Sequence, residues 1–156
     1  MIEIADAGTG ATIRDAAQLL FDFNAEYDMP SPPVHEVTDR LAELIGGDHV
    51  VVLLARDPDA GTPVGVAMLR LYPSLWSRAQ EAYLAELYVV PDRRGHGFGR
   101  ALITEVVTVA RDRGADYAFL VTSEEDTLAQ RLYEAAGFRR TEGEGGPAML
   151  AYERDL

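Results

Sequence analysis

The sequence predicts an α/β domain in which helices pack on a mixed sheet around one core. Three observations predict it. Apolar spacing alternates between helical and strand periods, in the order β-α-α-β-β-β-α-β-α-β-β. A length of 156 residues suits a single domain over residues 1–156. A hydrophobic content of 47% supplies a core and excludes global disorder.

Residues 2–5 form a candidate first strand. Ile13, Ala16, Ala17, Leu20 and Phe23 then recur at helical spacing, and residues 27–30 end that helix. Ser31, Pro32 and Pro33 read as a second helix start, with serine as N-cap and proline in the first turn. Val34, Val37, Leu41, Leu44 and Ile45 make its apolar stripe, and Gly46-Gly47 stops it. Residues 50–56 are a buried-type strand. A turn at 57–63 returns the chain to a hairpin partner at 64–72.

Residues 73–80 read as a loop and 83–90 as a strand closed by Pro91. A glycine-rich segment follows at 94–99. Leu102, Ile103, Val106, Val107 and Ala110 mark the next helix, which Gly114 ends. Residues 117–122 are a strand and 127–136 a helix stopped by Gly137. Residues 138–141 and 148–154 read as two last strands around a turn at 142–147.

Composition excludes several function classes. With no cysteine there is no disulfide, thiolate metal site or cysteine nucleophile. His35, His49 and His96 show no metal-ligand spacing, so no metal is expected. The net charge is −12, and all fourteen bases are arginine. The first 60 residues carry a net of −9. Such a chain disfavours nucleic acid and anionic membranes, whose phosphates call for cationic contacts. It suits solubility, and its acidic first half suits a cationic small molecule. No apolar run spans a bilayer and no signal peptide is visible at Met1-Ile2-Glu3-Ile4, so a cytoplasmic location is expected.

The most informative stretch runs from Val89 to Arg100. A strand enters a loop with Gly95, Gly97 and Gly99, and a helix begins there. Glycines admit close backbone approach, and the free amides of a helix start favour phosphate. A Walker-type loop needs a lysine, which the chain lacks. A dinucleotide fingerprint needs glycine where Arg100 stands. The spacing that fits is Arg-x-x-Gly-x-Gly over Arg94, Gly95, His96, Gly97, Phe98 and Gly99.

Here the sequence resembles the GNAT superfamily of acyl-CoA-dependent N-acyltransferases, over about residues 62–140. One anchor is Leu84-Ala85-Glu86-Leu87-Tyr88-Val89-Val90-Pro91 leading into the glycine loop. The other is the run from Ala129 through Leu132-Tyr133 to Gly137-Phe138, similar to Ala-x-x-Leu-Tyr-x-x-x-Gly-Phe. The resemblance implies a mostly antiparallel central sheet of six to seven strands with about four helices. It implies acetyl-CoA as cosubstrate, held at Arg94, Gly95, His96, Gly97, Phe98, Gly99 and Arg100. It also implies that Leu87, Tyr88 and Val89 bond the pantetheine arm as an added strand does. Many members carry asparagine where Asp126 stands, three residues before the alanine of the second motif. An ionised aspartate accepts but cannot donate there. A homodimer is implied by the habits of the family.

The resemblance assigns Tyr133 the general acid that protonates the departing thiolate, with a phenol that can also hydrogen-bond the CoA sulfur, and places Asp126 at the pantetheine. Glu86 is the candidate base, and Glu81 a weaker substitute. Period-two alternation predicts Glu86, Tyr88 and Leu84 on one face of the strand, with Ala85 and Leu87 on the other. In polyamine acetyltransferases, which this stretch resembles, acidic residues occupy the positions of both Ala85 and Glu86. Here the first is alanine. Arg93 and Arg100 are candidates for CoA phosphates or for solvent. Trp76 suits either stacking on a cationic acceptor or burial. The predicted function is acetyl transfer to a primary amine of a cationic small molecule. Asp126 and Ala85 leave a second expectation, a CoA-binding module that keeps the fold without turnover.

Overall fold

The computed structural model describes residues 3–6 as backbone and residues 8–156 in full. The elements run β1 Glu3–Asp6, α1 Gly10–Glu26, α2 Val34–Gly46, β2 Val50–Arg56, β3 Pro63–Pro73 and β4 Gln80–Val89. A 3-10 turn at Pro91–Arg93 leads to α3 Phe98–Asp112, β5 Ala115–Phe119 and α4 Thr127–Ala135. Ile2, part of the predicted first strand, lies outside the described residues. Among the described residues no helix is long and apolar enough to cross a membrane.

Among the described residues the sheet has five strands in the order β1-β2-β3-β4-β5. The first four pair antiparallel and β4 pairs β5 in parallel, so the sheet is mixed. This corrects the expectation of six to seven strands. The last two predicted strands meet in one bridge, Thr141 with Ala148. Gly143 and Gly145 turn through positive φ between them, and Pro147 has no amide to donate. Met149, Leu150 and Tyr152 stay exposed, so the second arm buries no face that would hold it in a ladder.

Local chemistry sets the helix starts. Thr9 precedes α1, and its amide donates to Thr12 Oγ1 at 3.1 Å. Ser31 does not cap α2, contrary to expectation. Its hydroxyl bonds the Pro32 carbonyl at 3.2 Å, and Pro33 occupies the N-cap position. A residue before proline is driven out of helical backbone, so Pro32 cannot open the helix.

The sheet divides the interior into two apolar clusters, where the sequence predicted one core. On one side α1 and α2 bring Ile13, Ala16, Ala17, Leu19 and Leu41 onto Val52, Leu54, Val66, Met68 and Tyr88. On the other, α3 brings Phe98, Leu102, Ile103 and Val106 onto Val51, Leu53, Ala67, Leu69 and Leu84. Buried central strands put apolar residues on both faces, which explains the unbroken run in β2. Each fully buried aliphatic side chain contributes about 1.5–3 kcal/mol.

Candidate active site

Strand β4 carries the site, and a bulge sets which side chains face where. Met68 pairs with Glu86, but the next β3 residue, Leu69, pairs with Leu84. Ala85 is therefore an extra residue in the β4 ladder. Cross-strand partners share a face, so Glu86 and Tyr88 lie with Met68 and Val66 on the α1–α2 side. Leu84 and Leu87 lie on the α3 side. The predicted alternation, which put Leu84 beside Glu86, is corrected by the bulge.

Strand β5 leaves β4 early. Their ladder covers only Gln80–Tyr83 of β4, against Ala115–Phe119 of β5. The predicted strand at 117–122 thus starts sooner, directly after Gly114, whose carbonyl accepts from the Gln80 amide at 2.9 Å. Beyond Tyr83 the edge of β4 that faces away from β3 has no strand partner among the described residues. Residues 84–89 therefore present an open sheet edge that runs toward the glycine loop. An open edge of this kind can accept an added extended chain through main-chain hydrogen bonds.

The edge ends at a loop rich in free amides. Gly95 and Gly97 have φ of 79° and 91°, a backbone that other residues rarely adopt. Gly97 is the N-cap of α3. The first α3 amide with an intrahelical acceptor is Ala101, bonded to the Gly97 carbonyl at 3.0 Å. The six amides from Gly95 to Arg100 have no acceptor among the described residues. Gly99 brings α3 onto α4; a Cβ there would come 3.2 Å from Leu132 Cδ2. Free amides at the start of α3 and the helix dipole make this loop a fit for a phosphate group.

The arginines before the loop are already engaged. Arg93 Nε donates to Asp57 Oδ2 at 2.9 Å. Arg94 Nη2 donates to Glu26 Oε2 at 2.6 Å, and its Nε to the Val89 carbonyl at 3.0 Å. The Arg94 guanidinium also lies 5.7 Å from the Tyr88 ring centroid. Tyr88 is buried and stacks on Phe23 at 5.1 Å. His96 Nδ1 sits 2.9 Å from the Arg94 carbonyl, and its side chain is exposed. Arg100 makes no ion pair among the described residues. Phe98 is buried in the core, so at that position only the backbone can meet a ligand.

Two titratable groups are predicted to carry the chemistry, Glu86 and Tyr133. Glu86 makes no side-chain hydrogen bond among the described residues. Burial pushes its carboxyl above the usual range, opposed by the nearby Arg70 charge. Tyr133 on α4 packs against the α3-side core and meets Phe138 edge-on at 6.4 Å. Burial, then the Asp126 charge, pushes its phenol up to about 12. Asp126 caps α4, accepting from the Ala129 amide at 3.0 Å. Glu86 and Tyr133 thus approach from opposite faces of the sheet.

Other candidates stand apart. Glu81 accepts from Ser74 Oγ at 3.0 Å, at the far end of β4. Trp76 is 88% exposed on the β3–β4 loop, which removes the buried alternative. Glu26 and Asp57 were not legible as site residues. They lie 68 and 36 positions from their arginines, and carboxylates are common throughout the first 60 residues.

Comparison with known proteins agrees with this geometry. The profile of the acetyltransferase (GNAT) family matches residues 16–138. A crystal structure from Arthrobacter sp. FB24, assigned as an acetyltransferase, superposes with a TM-score of 0.85 at 42% identity. It covers 100% of this chain and 96% of that one. An aminoglycoside N(6')-acetyltransferase type 1 from Stenotrophomonas maltophilia is 34% identical over 113 residues, 70% of this chain and 71% of that protein. The mycothiol acetyltransferase of Thermobispora bispora is 38% identical over 84 residues, 52% of this chain. That match spans only 28% of the mycothiol enzyme's own length. On the family match and the full-length likeness, the chain belongs to the GNAT acetyltransferase family.

Proposed function

We propose that the chain is an acetyl-CoA-dependent N-acetyltransferase that acts on a primary amine of a cationic small molecule, by direct attack in a ternary complex. One observation carries the reading. The open edge of β4 ends at six consecutive free amides, so a single extended ligand can lie along the edge with its phosphates in the loop. The pantetheine arm and pyrophosphate of CoA have that shape and charge. Leu87, Tyr88 and Val89 supply the edge. Residues 95–100 supply the phosphate contacts, with Arg100, which makes no ion pair among the described residues, as a nearby cation.

Acetyl-CoA supplies the acyl group as an activated thioester. A cationic amine must first lose a proton, and the Glu86 carboxylate accepts it directly or through one water. Its raised pKa brings it closer to that task than an exposed glutamate. A main-chain amide at the open edge near Val89 donates to the carbonyl oxygen, where negative charge develops. Tyr133 keeps its proton across the working range and gives it from Oη to the departing sulfur. The ammonium loses two protons in all: the first goes to Glu86 before attack and on to solvent, and the second leaves the attacking nitrogen as the amide forms and restores the Tyr133 phenol, which has protonated the thiolate. The balance closes without a covalent enzyme intermediate. Holding both reactants together supplies much of the acceleration.

The net charge of −12 and the acetylation of aminoglycosides by a relative support a cationic acceptor. Thiol release from acetyl-CoA, followed with a panel of polyamines, aminoglycosides and amino acids, tests the reading. Turnover with a cationic amine is expected. CoA binding without turnover on any amine overturns it.

A further inference from the structure

The arginines that introduce the glycine loop are both engaged by carboxylates. Arg94 reaches to the α1 side of the sheet, where its guanidinium is shared among Glu26, the Val89 carbonyl and the Tyr88 ring. Helix α3, whose first amides form the loop, packs on the opposite side. Arg93 reaches to the β2–β3 turn, where Asp57 also accepts the amides of Asp59 and Ala60 at 3.0 and 3.2 Å. Two adjacent cations at a phosphate loop are therefore each held by a carboxylate on a different element. Their anchors are α1 and the β2–β3 turn.

We propose that Glu26 and Asp57 are positioning residues that fix the phosphate loop through Arg94 and Arg93, so that backbone amides rather than these guanidinium groups bind the coenzyme. The inference rests on the CoA reading above. Its logic is entropic. Six amides bind an anion well only if they converge before it arrives, because ordering a residue on binding costs about 1–2 kcal/mol of backbone entropy. Two ion pairs to different elements supply that order in advance. The Arg94 bond to the Val89 carbonyl also ties the loop to the end of the open edge.

Charge makes the test decisive in sign. Glu26 and Asp57 are negative groups beside a site for an anion. If their charge is what matters, removing it tightens CoA. If they position the loop, removing it weakens CoA. Titration calorimetry with free CoA is the measurement, on the whole chain. We expect Glu26→Gln to raise Kd about fivefold and Arg94→Ala to raise it similarly. The double variant should be no weaker than the worse single, as for two residues acting through one contact. Asp57 also holds its own turn, so Asp57→Asn is read only at temperatures where circular dichroism shows it folded; the Glu26 arm stands without it. An unchanged or tighter Kd for Glu26→Gln, or additive losses in the double variant, overturns the proposal. Failure of the unmodified protein to bind CoA would instead sink the CoA reading itself.

Discussion

Leu84 and Glu86 are two residues apart on one strand yet face opposite sides of the sheet. Ala85, the extra residue between them, shifts the alternation by one. Without that bulge, the face that holds Leu84 in the α3-side core would also hold Glu86. The bulge leaves Glu86 on the α1–α2 side with no internal partner, where burial raises its pKa. A base must be ionised, so kcat/KM of the unmodified protein should rise with pH through that raised value. Glu86→Gln should lower turnover about 10²-fold and flatten this acidic limb. A pH–rate series on both proteins checks it. An acidic limb that survives in the variant would assign it to another group.

Tyr133 is pushed up to about 12. Its proton is therefore present throughout the range in which an amine is neutral enough to react. Tyr133→Phe should lower kcat by roughly 10²–10⁴-fold while leaving the Kd for CoA within about twofold. The ring still packs on Phe138, so the variant should fold. Stopped assays of thiol release, paired with calorimetry, separate the two constants. A normal kcat removes the acid role.

Much of this was legible in the sequence because it is local. Helical spacing in α1 and α3 reports which face meets the sheet, and the glycine spacing at 95–99 reports where the backbone is open to close approach. The bulge was not legible, because Ala85 suits either face and only the β3 register exposes it. The clamp of Arg94 by Glu26 was hidden for a different reason: nothing local links residues 68 positions apart. The terminal segments read as strands on side-chain preference alone. Preference does not supply a partner, and Tyr152 and Leu150 find no face to bury.

Glu86 also predicts a conflict between stability and activity. A carboxyl whose folded pKa is raised is harder to ionise in the folded state than in the unfolded chain. Its charge is therefore destabilising above the folded pKa, and the penalty is absent below the unfolded value. Glu86→Gln should be more stable than the unmodified protein at pH 7, by roughly 1–3 °C in Tm. The gap should close as the pH falls below about 4. Glu26 has the opposite sign, because the hydrogen bond from Arg94 lowers its pKa. Its contribution is present above the unfolded pKa and is lost as the pH falls through the folded one. Thermal melts of both variants at pH 7 and pH 4 test the pair of signs.

Gly97 links backbone conformation to ligand affinity. At φ 91° it is the N-cap of α3 and the middle of the run of free amides. Alanine in left-handed backbone costs roughly 1–2 kcal/mol, which the loop can relieve only by turning its amides. Gly97→Ala should therefore weaken CoA about tenfold, the equivalent of roughly 1.4 kcal/mol of binding energy. The control is Gly143→Ala, at φ 67° in the terminal turn, with nothing near its missing Cβ. It carries a similar backbone cost far along the chain from the loop. Calorimetry should show Kd raised for Gly97→Ala and unchanged for Gly143→Ala, with comparable losses in Tm. Equal Kd values for the two variants would mean that the amides of residues 95–100 do not hold the coenzyme.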